Sequence, residues 1–155
     1  MVTLREFVDD LCASDDVPEK SKVRIQEILN DIFGSEDESI GAYFISEGKP
    51  YGAVPIVASA IIYNAGTLLE FQAHENGDIY HDFITVNSVF NIKHETTFSK
   101  SSPEEDQVSF YRVRFIHAES GQIWTAMGAR TRDKISQLKI FVHFIASKAG
   151  LRISA

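Results

Sequence analysis

The stretch Thr67-Leu68-Leu69-Glu70-Phe71-Gln72-Ala73-His74-Glu75-Asn76-Gly77-Asp78-Ile79-Tyr80 sets the period of most of this chain. Leu69 and Phe71 alternate with Glu70 and Gln72, which is the two-residue repeat of a half-buried strand. Glu75-Asn76-Gly77 follows, and Asn-Gly tolerates the positive φ angles of a tight hairpin. A second run, Asp78 to Ile84, then returns. Two strands joined by so short a turn are antiparallel.

The same reading extends in both directions. Upstream lie strand candidates at Ile40–Ser46 and Val54–Tyr63, separated by the loop Glu47-Gly48-Lys49-Pro50-Tyr51-Gly52. The second of these is nearly all apolar, so it is expected to be covered on both faces. Downstream come Ser88–Phe98, then a polar loop containing Pro103, then Val108–His117, which sets Tyr111, Val113 and Phe115 against Arg112 and Arg114. Ser120-Gly121 turns the chain into a last strand, Gln122 to about Ala129. Seven strands spaced by turn signals make an antiparallel meander too long to stay flat, which predicts two packed sheets or a barrel.

Helices flank the strands. Thr3 with Glu6 forms a capping box ahead of Leu4, Phe7, Val8 and Leu11 at helical spacing. Asp16-Val17-Pro18-Glu19 repeats the cap and acid, and Val23, Ile25, Ile28, Leu29, Ile32 and Phe33 make an apolar stripe ending at Gly34. These are helices at about 4–12 and 17–33. Ser35-Glu36-Asp37-Glu38-Ser39 reads as an acidic linker, which divides a helical arm, 1–34, from a β-domain, 40–155. Thr131 caps a closing helix at about 132–148, with Gly150 just beyond it. Its inner stripe is Ile135, Leu138, Val142 and Ile145. Ile140, Phe141 and Phe144 form a second apolar set that needs cover from the arm or from a second copy of the chain.

Residues 40–149 resemble the pleckstrin-homology superfold, and are more similar to its short bacterial and GRAM-type variants than to the eukaryotic signalling domains. The residues that carry the resemblance are Asp78-Ile79-Tyr80-His81-Asp82-Phe83-Ile84-Thr85-Val86, then Gln122-Ile123-Trp124-Thr125-Ala126 and Ala129-Arg130-Thr131-Arg132-Asp133, followed by the helix. The closing helix lacks the tryptophan that many eukaryotic members carry there; Phe141 or Phe144 is of a size to take its place. With the two N-terminal helices read above, the resemblance implies an α+β fold in which they precede a seven-stranded antiparallel sandwich or barrel and a C-terminal capping helix. It also implies protein or peptide binding, the commonest alternative to lipid binding in this superfold, at the groove between the closing helix and a sheet edge. The alternative is a Bet v 1/START-like grip around a small apolar ligand, although that fold usually opens with a strand and ends in a longer helix.

Composition bounds the chemistry. The chain has 155 residues, of which 44% are hydrophobic and 24% charged, as expected of one ordinary globular domain. The formal charge of −7 sits in residues 1–39, which hold 11 acidic and 4 basic side chains; residues 40–155 hold 11 of each. That distribution speaks against nucleic-acid binding, which needs clustered Lys and Arg. The region Ile40–Tyr63 has Lys49 as its one basic residue, too few for a phosphoinositide head group. Cys12 is the only cysteine and has acidic neighbours in Asp9, Asp10, Asp15 and Asp16, which speaks against a disulfide, a zinc cluster or a reactive thiolate. No basic-plus-apolar leader opens the chain, and its most apolar stretch has 11 residues, too few to span a bilayer. The expectation is a cytoplasmic chain without membrane insertion.

His74, His81, His94, His117 and His143 show no paired ligand spacing, although His81 and His94 would approach if their two strands paired. No glycine-rich phosphate loop or nucleophile elbow is present. The sequence therefore predicts a non-enzymatic interaction module with no cofactor and no metal. Its candidate partner or self-association surface is Ile140, Phe141 and Phe144 with Arg112 and Arg114. A protein partner or a homodimer is expected on it.

Overall fold

The computed structural model describes residues 2–13, 17–34, 39–45, 49–51, 54–102 and 105–151, and side-chain surroundings within 3–13, 17–34, 58–98 and 110–151. The acidic linker 35–38, the Gly48 and Gly52 loop residues and Pro103 lie outside the described residues.

The elements run β1 (Val2–Thr3), α1 (Leu4–Ala13), α2 (Glu19–Phe33), β2 (Ser39–Ile45), β3 (Lys49–Tyr51), β4 (Val54–Asn64), β5 (Thr67–His74), β6 (Ile79–Thr85), a 3₁₀ turn (Val86–Ser88), β7 (Val89–Ser102), β8 (Glu105–His117), β9 (Ile123–Ala129) and α3 (Arg132–Ala149). The fold is α+β, with helices before and after the strands. The chain divides into two compact units, Met1–Ile84 and Thr85–Ala155, so the division does not fall at the acidic linker. The strands form two separate sheets. One has six strands in the order β1-β2-β4-β5-β6, with β3 also on β4; the other has three in the order β7-β8-β9. Each is an open sheet with free ends, which corrects the expectation of one seven-stranded sandwich or closed barrel.

In the first unit, β4 and β5 pair as Ala58↔Ala73, Ala60↔Phe71 and Ile62↔Leu69. Because successive side chains alternate, these six share one face. α1, α2 and the connection between them cover it with Leu4, Phe7, Leu11, Val17, Ile25 and Leu29. That cover is why the helical arm belongs to this unit: its apolar stripe has no other place to be buried. Ile61 and Leu68, on the opposite face, are fully buried too, so this part of β4 is covered on both sides as expected.

The capping details decide where α1 and α2 start and stop. Thr3 Oγ1 accepts from the Glu6 amide at 3.1 Å, the first half of a capping box, and its hydroxyl donates to Glu6 Oε1. α2 begins later than expected, after Pro18, whose carbonyl accepts from the Ser21 and Lys22 amides. Gly34 ends it at φ +70°. The buried face of α2 is Ser21, Lys22, Ile25 and Leu29; Val23 and Ile32 are exposed, contrary to the stripe read from hydrophobicity. Lys22 is buried because its ammonium donates to the Cys12 carbonyl at 2.7 Å and to Glu19 at 3.2 Å. It thereby satisfies an orphan acceptor at the end of α1.

The hairpin Glu75-Asn76-Gly77 forms, but only Gly77 takes a positive φ, +93°. Asn76 contributes its side chain instead, accepting from the Asp78 amide at 3.0 Å. The turn with two successive positive φ angles is Ala65-Gly66, at +47° and +83°.

In the second unit, α3 packs against all three strands and the 3₁₀ turn. Thr131 Oγ1 accepts from the Lys134 amide, and Gly150 closes the helix at φ +75°. Ile135, Leu138, Val142 and Ile145 are buried as expected.

Candidate functional site

Register within the second sheet fixes which side chains meet. β7 and β8 pair as Ile92↔Phe115, His94↔Val113, Glu95↔Arg112 and Thr96↔Tyr111. On β9, Met127 lies opposite Val113 and Ala129 opposite Tyr111. Tyr111, Val113, Phe115, Met127 and Ala129 are buried. The Lys139 ammonium lies 5.3 Å from the Tyr111 ring centre, which places this flank of α3 over that face.

Arg112 and Arg114 project from the other face, since they alternate with Tyr111, Val113 and Phe115. Both reach Glu95: Arg112 Nε donates to its Oε2 at 3.1 Å and Arg114 Nη2 at 3.4 Å, with a further close bond from Arg112 Nη2. The Arg112 hydrogen bond and charge, joined by Arg114, hold the Glu95 carboxyl below its ordinary range. One carboxylate therefore offsets part of the charge of two guanidiniums. This Arg pair does not share a surface with α3.

The three apolar residues proposed on α3 also separate. Ile140 is 69% exposed, Phe144 is half-buried with the Lys148 ammonium 5.5 Å from its ring centre, and Phe141 is 5% exposed. Phe141 turns inward because it is three residues after Leu138 and four before Ile145, which puts it on the buried stripe. It belongs to the core of this unit and is not on the partner surface where the sequence placed it.

What the sequence missed is a polar cluster on the α3 side of the sheet. His94 Nδ1 and the Tyr111 hydroxyl form a close hydrogen bond. Burial lowers the His94 pKa from its ordinary value, and the charges of His143 and Lys139 lower it further. Burial raises that of Tyr111. The four residues come from β7, β8 and α3 and span 50 positions, so no local spacing announces them. His94 and His81 are not brought together by strand pairing, because β6 and β7 belong to different sheets. His74 is buried, edge-on to the Tyr80 ring at 4.7 Å.

β7 is the terminal strand of its sheet. Its side chains from Lys93 to Phe98 are all exposed, on both faces, and Phe90 and Phe98 are 50% and 61% exposed. An end strand offers backbone N–H and C=O groups to a further strand. Among the described residues no three His, Cys, Asp or Glu side chains come together as a metal site would need. No helix among them is long and apolar enough to cross a membrane. Cys12 is a free, half-buried thiol whose sulfur accepts from Gln26 Nε2 at 2.7 Å.

Comparison with known proteins finds no matching family model, no matching curated protein and no matching solved structure.

Proposed function

We propose that this chain is a non-catalytic interaction module, pleckstrin-homology-like in arrangement and cytoplasmic, that binds an extended peptide segment of a protein partner. The peptide adds to the outer edge of β7, beside α3. The observation that carries the reading is the end strand β7, exposed from Lys93 to Phe98 with Phe98 61% exposed, in a sheet whose one face packs on α3. Strand addition draws affinity from backbone hydrogen bonds, and side-chain contacts on the flanking surface supply specificity. The hairpin-joined strands followed by a Thr131-capped helix support the pleckstrin-homology-like arrangement.

The test is selection of random short peptides displayed on phage against the full chain, followed by binding measurements on Phe98→Ser, at the 61%-exposed side chain of β7 itself. That substitution should change stability by less than about 0.5 kcal/mol, as surface changes usually do. It should weaken the enriched peptides by about tenfold or more, equal to about 1.4 kcal/mol. A stable Phe98→Ser protein that binds every enriched peptide as well as the parent does would refute the groove.

A further inference from the structure

The two halves of the chain carry opposite charge. Residues 1–84 hold 16 acidic and 5 basic side chains, a net of −11; residues 85–155 hold 6 and 10, a net of +4. α3 contributes Arg132, Lys134, Lys139 and Lys148 against Asp133 alone. On the flank of α3 that meets the sheet, Lys139 stands 5.3 Å from the Tyr111 ring centre, His94 of β7 hydrogen-bonds the Tyr111 hydroxyl, and His143 lies one helical turn after Lys139 on the same flank. Among the described residues, both charges that act on His94 are basic, and Glu95 is turned to the opposite face by the alternation of β7. Arg112 and Arg114 on that opposite face already have their carboxylate. Among the described residues the His94 cluster has none.

We propose that His94, Lys139 and His143 form an anion subsite that takes the carboxylate of an Asp or Glu side chain in a peptide bound along β7. The proposal rests on the strand-addition reading above and names the chemistry of its partner: an extended acidic segment. The physical reason is charge complementarity at an exposed cluster of basic side chains. A carboxylate placed among two imidazoles and an ammonium makes charge-assisted hydrogen bonds and relieves the mutual repulsion of the cations. The Tyr111 hydroxyl, bonded to His94 Nδ1, holds the imidazole in place.

Proton linkage follows. In the free protein, burial, His143 and Lys139 disfavour the charged form of His94. The Lys93 and Glu95 side chains neighbouring it on β7 alternate to the other face; among the described residues, Tyr111 of β8 and Lys139 and His143 of α3 are the titratable groups that face it. A bound carboxylate favours the imidazolium, so binding takes up a proton and tightens as pH falls from about 8 to about 6.

The experiment uses the full chain and peptides enriched on phage. Enriched sequences are expected to hold Asp or Glu at one fixed position. Lys139→Gln/His143→Gln, two exposed changes, should weaken such a peptide by about tenfold or more. The same double change should leave unaltered the affinity of the peptide's Asp→Asn or Glu→Gln counterpart. Affinity for the acidic peptide, and not for its amide counterpart, should rise at about pH 6. If the double variant weakens both peptides equally, or no acidic position is enriched, the anion subsite is wrong, while loss of binding in Phe98→Ser still upholds the groove. If nothing enriches, or Phe98→Ser binds normally, the groove itself is wrong and the subsite falls with it.

Discussion

Replacing Gly77 with alanine is expected to loosen the hairpin between β5 and β6 from α2. Two features of the structure set the cost. Gly77 sits at φ +93°, and a Cβ there would stand 2.6 Å from Arg24 Nη1 and 3.0 Å from the Lys20 Cε. Arg24 donates to the Gly77 carbonyl, and Lys20 reaches the Asn76 carbonyl at 3.5 Å. A positive φ costs an L-residue about 1–2 kcal/mol. Displacing a charge-assisted bond costs about 1.5–3 kcal/mol. The lower entropy of unfolded alanine returns about 0.4–1 kcal/mol, leaving a net loss of about 2–4 kcal/mol. Urea unfolding of Gly77→Ala, Arg24→Met and the double variant separates the two contributions. In the Arg24→Met background the glycine change should cost only the backbone strain less that entropy return, about 0–1.6 kcal/mol. A loss of less than about 0.5 kcal/mol in the parent, or an identical loss in both backgrounds, would refute the contact reading.

Two further outcomes follow from the same structure. Deleting residues 1–34 removes six buried apolar side chains from the face of the first sheet, worth about 1.5–3 kcal/mol each; the sum matches the whole stability of a typical domain. The truncated chain should associate or fail to fold, and a monomer with an unchanged melting temperature would show that the helical cover is dispensable. The folded His94 pKa is lowered below the ordinary 6.5, so the unfolded chain binds the proton more readily. Its contribution to stability is present above about pH 6.5 and is lost as pH falls through the folded value. The melting temperature of His94→Gln should therefore drop less than the parent's between about pH 7.5 and pH 5.5, and equal drops would remove His94 from the acid sensitivity.

Local signals in the sequence placed the elements well. The Thr3 and Thr131 caps, Gly34, Gly150 and the strand alternation of 67–73 depend on neighbours a few residues away, and each takes its expected role. The sequence missed residues whose surroundings come from afar. Lys22 looks like a surface charge until α1 presents the Cys12 carbonyl to it. Phe141 looks like outer cover until the contact face of α3 is known. Arg112 and Arg114 look like free cations until register brings Glu95 opposite.

The sequence by itself determined an α+β chain, with helices at both ends, antiparallel strands between them and its negative charge concentrated near the start, because period, caps and charge are local properties. Only the tertiary structure decided that the strands form two open sheets, that the N-terminal helices cover the first and α3 the second, and that His94, Tyr111, Lys139 and His143 meet. Strand pairing and helix packing join residues dozens of positions apart. Their partners are chosen by which apolar faces can bury each other, and no window of sequence contains that choice.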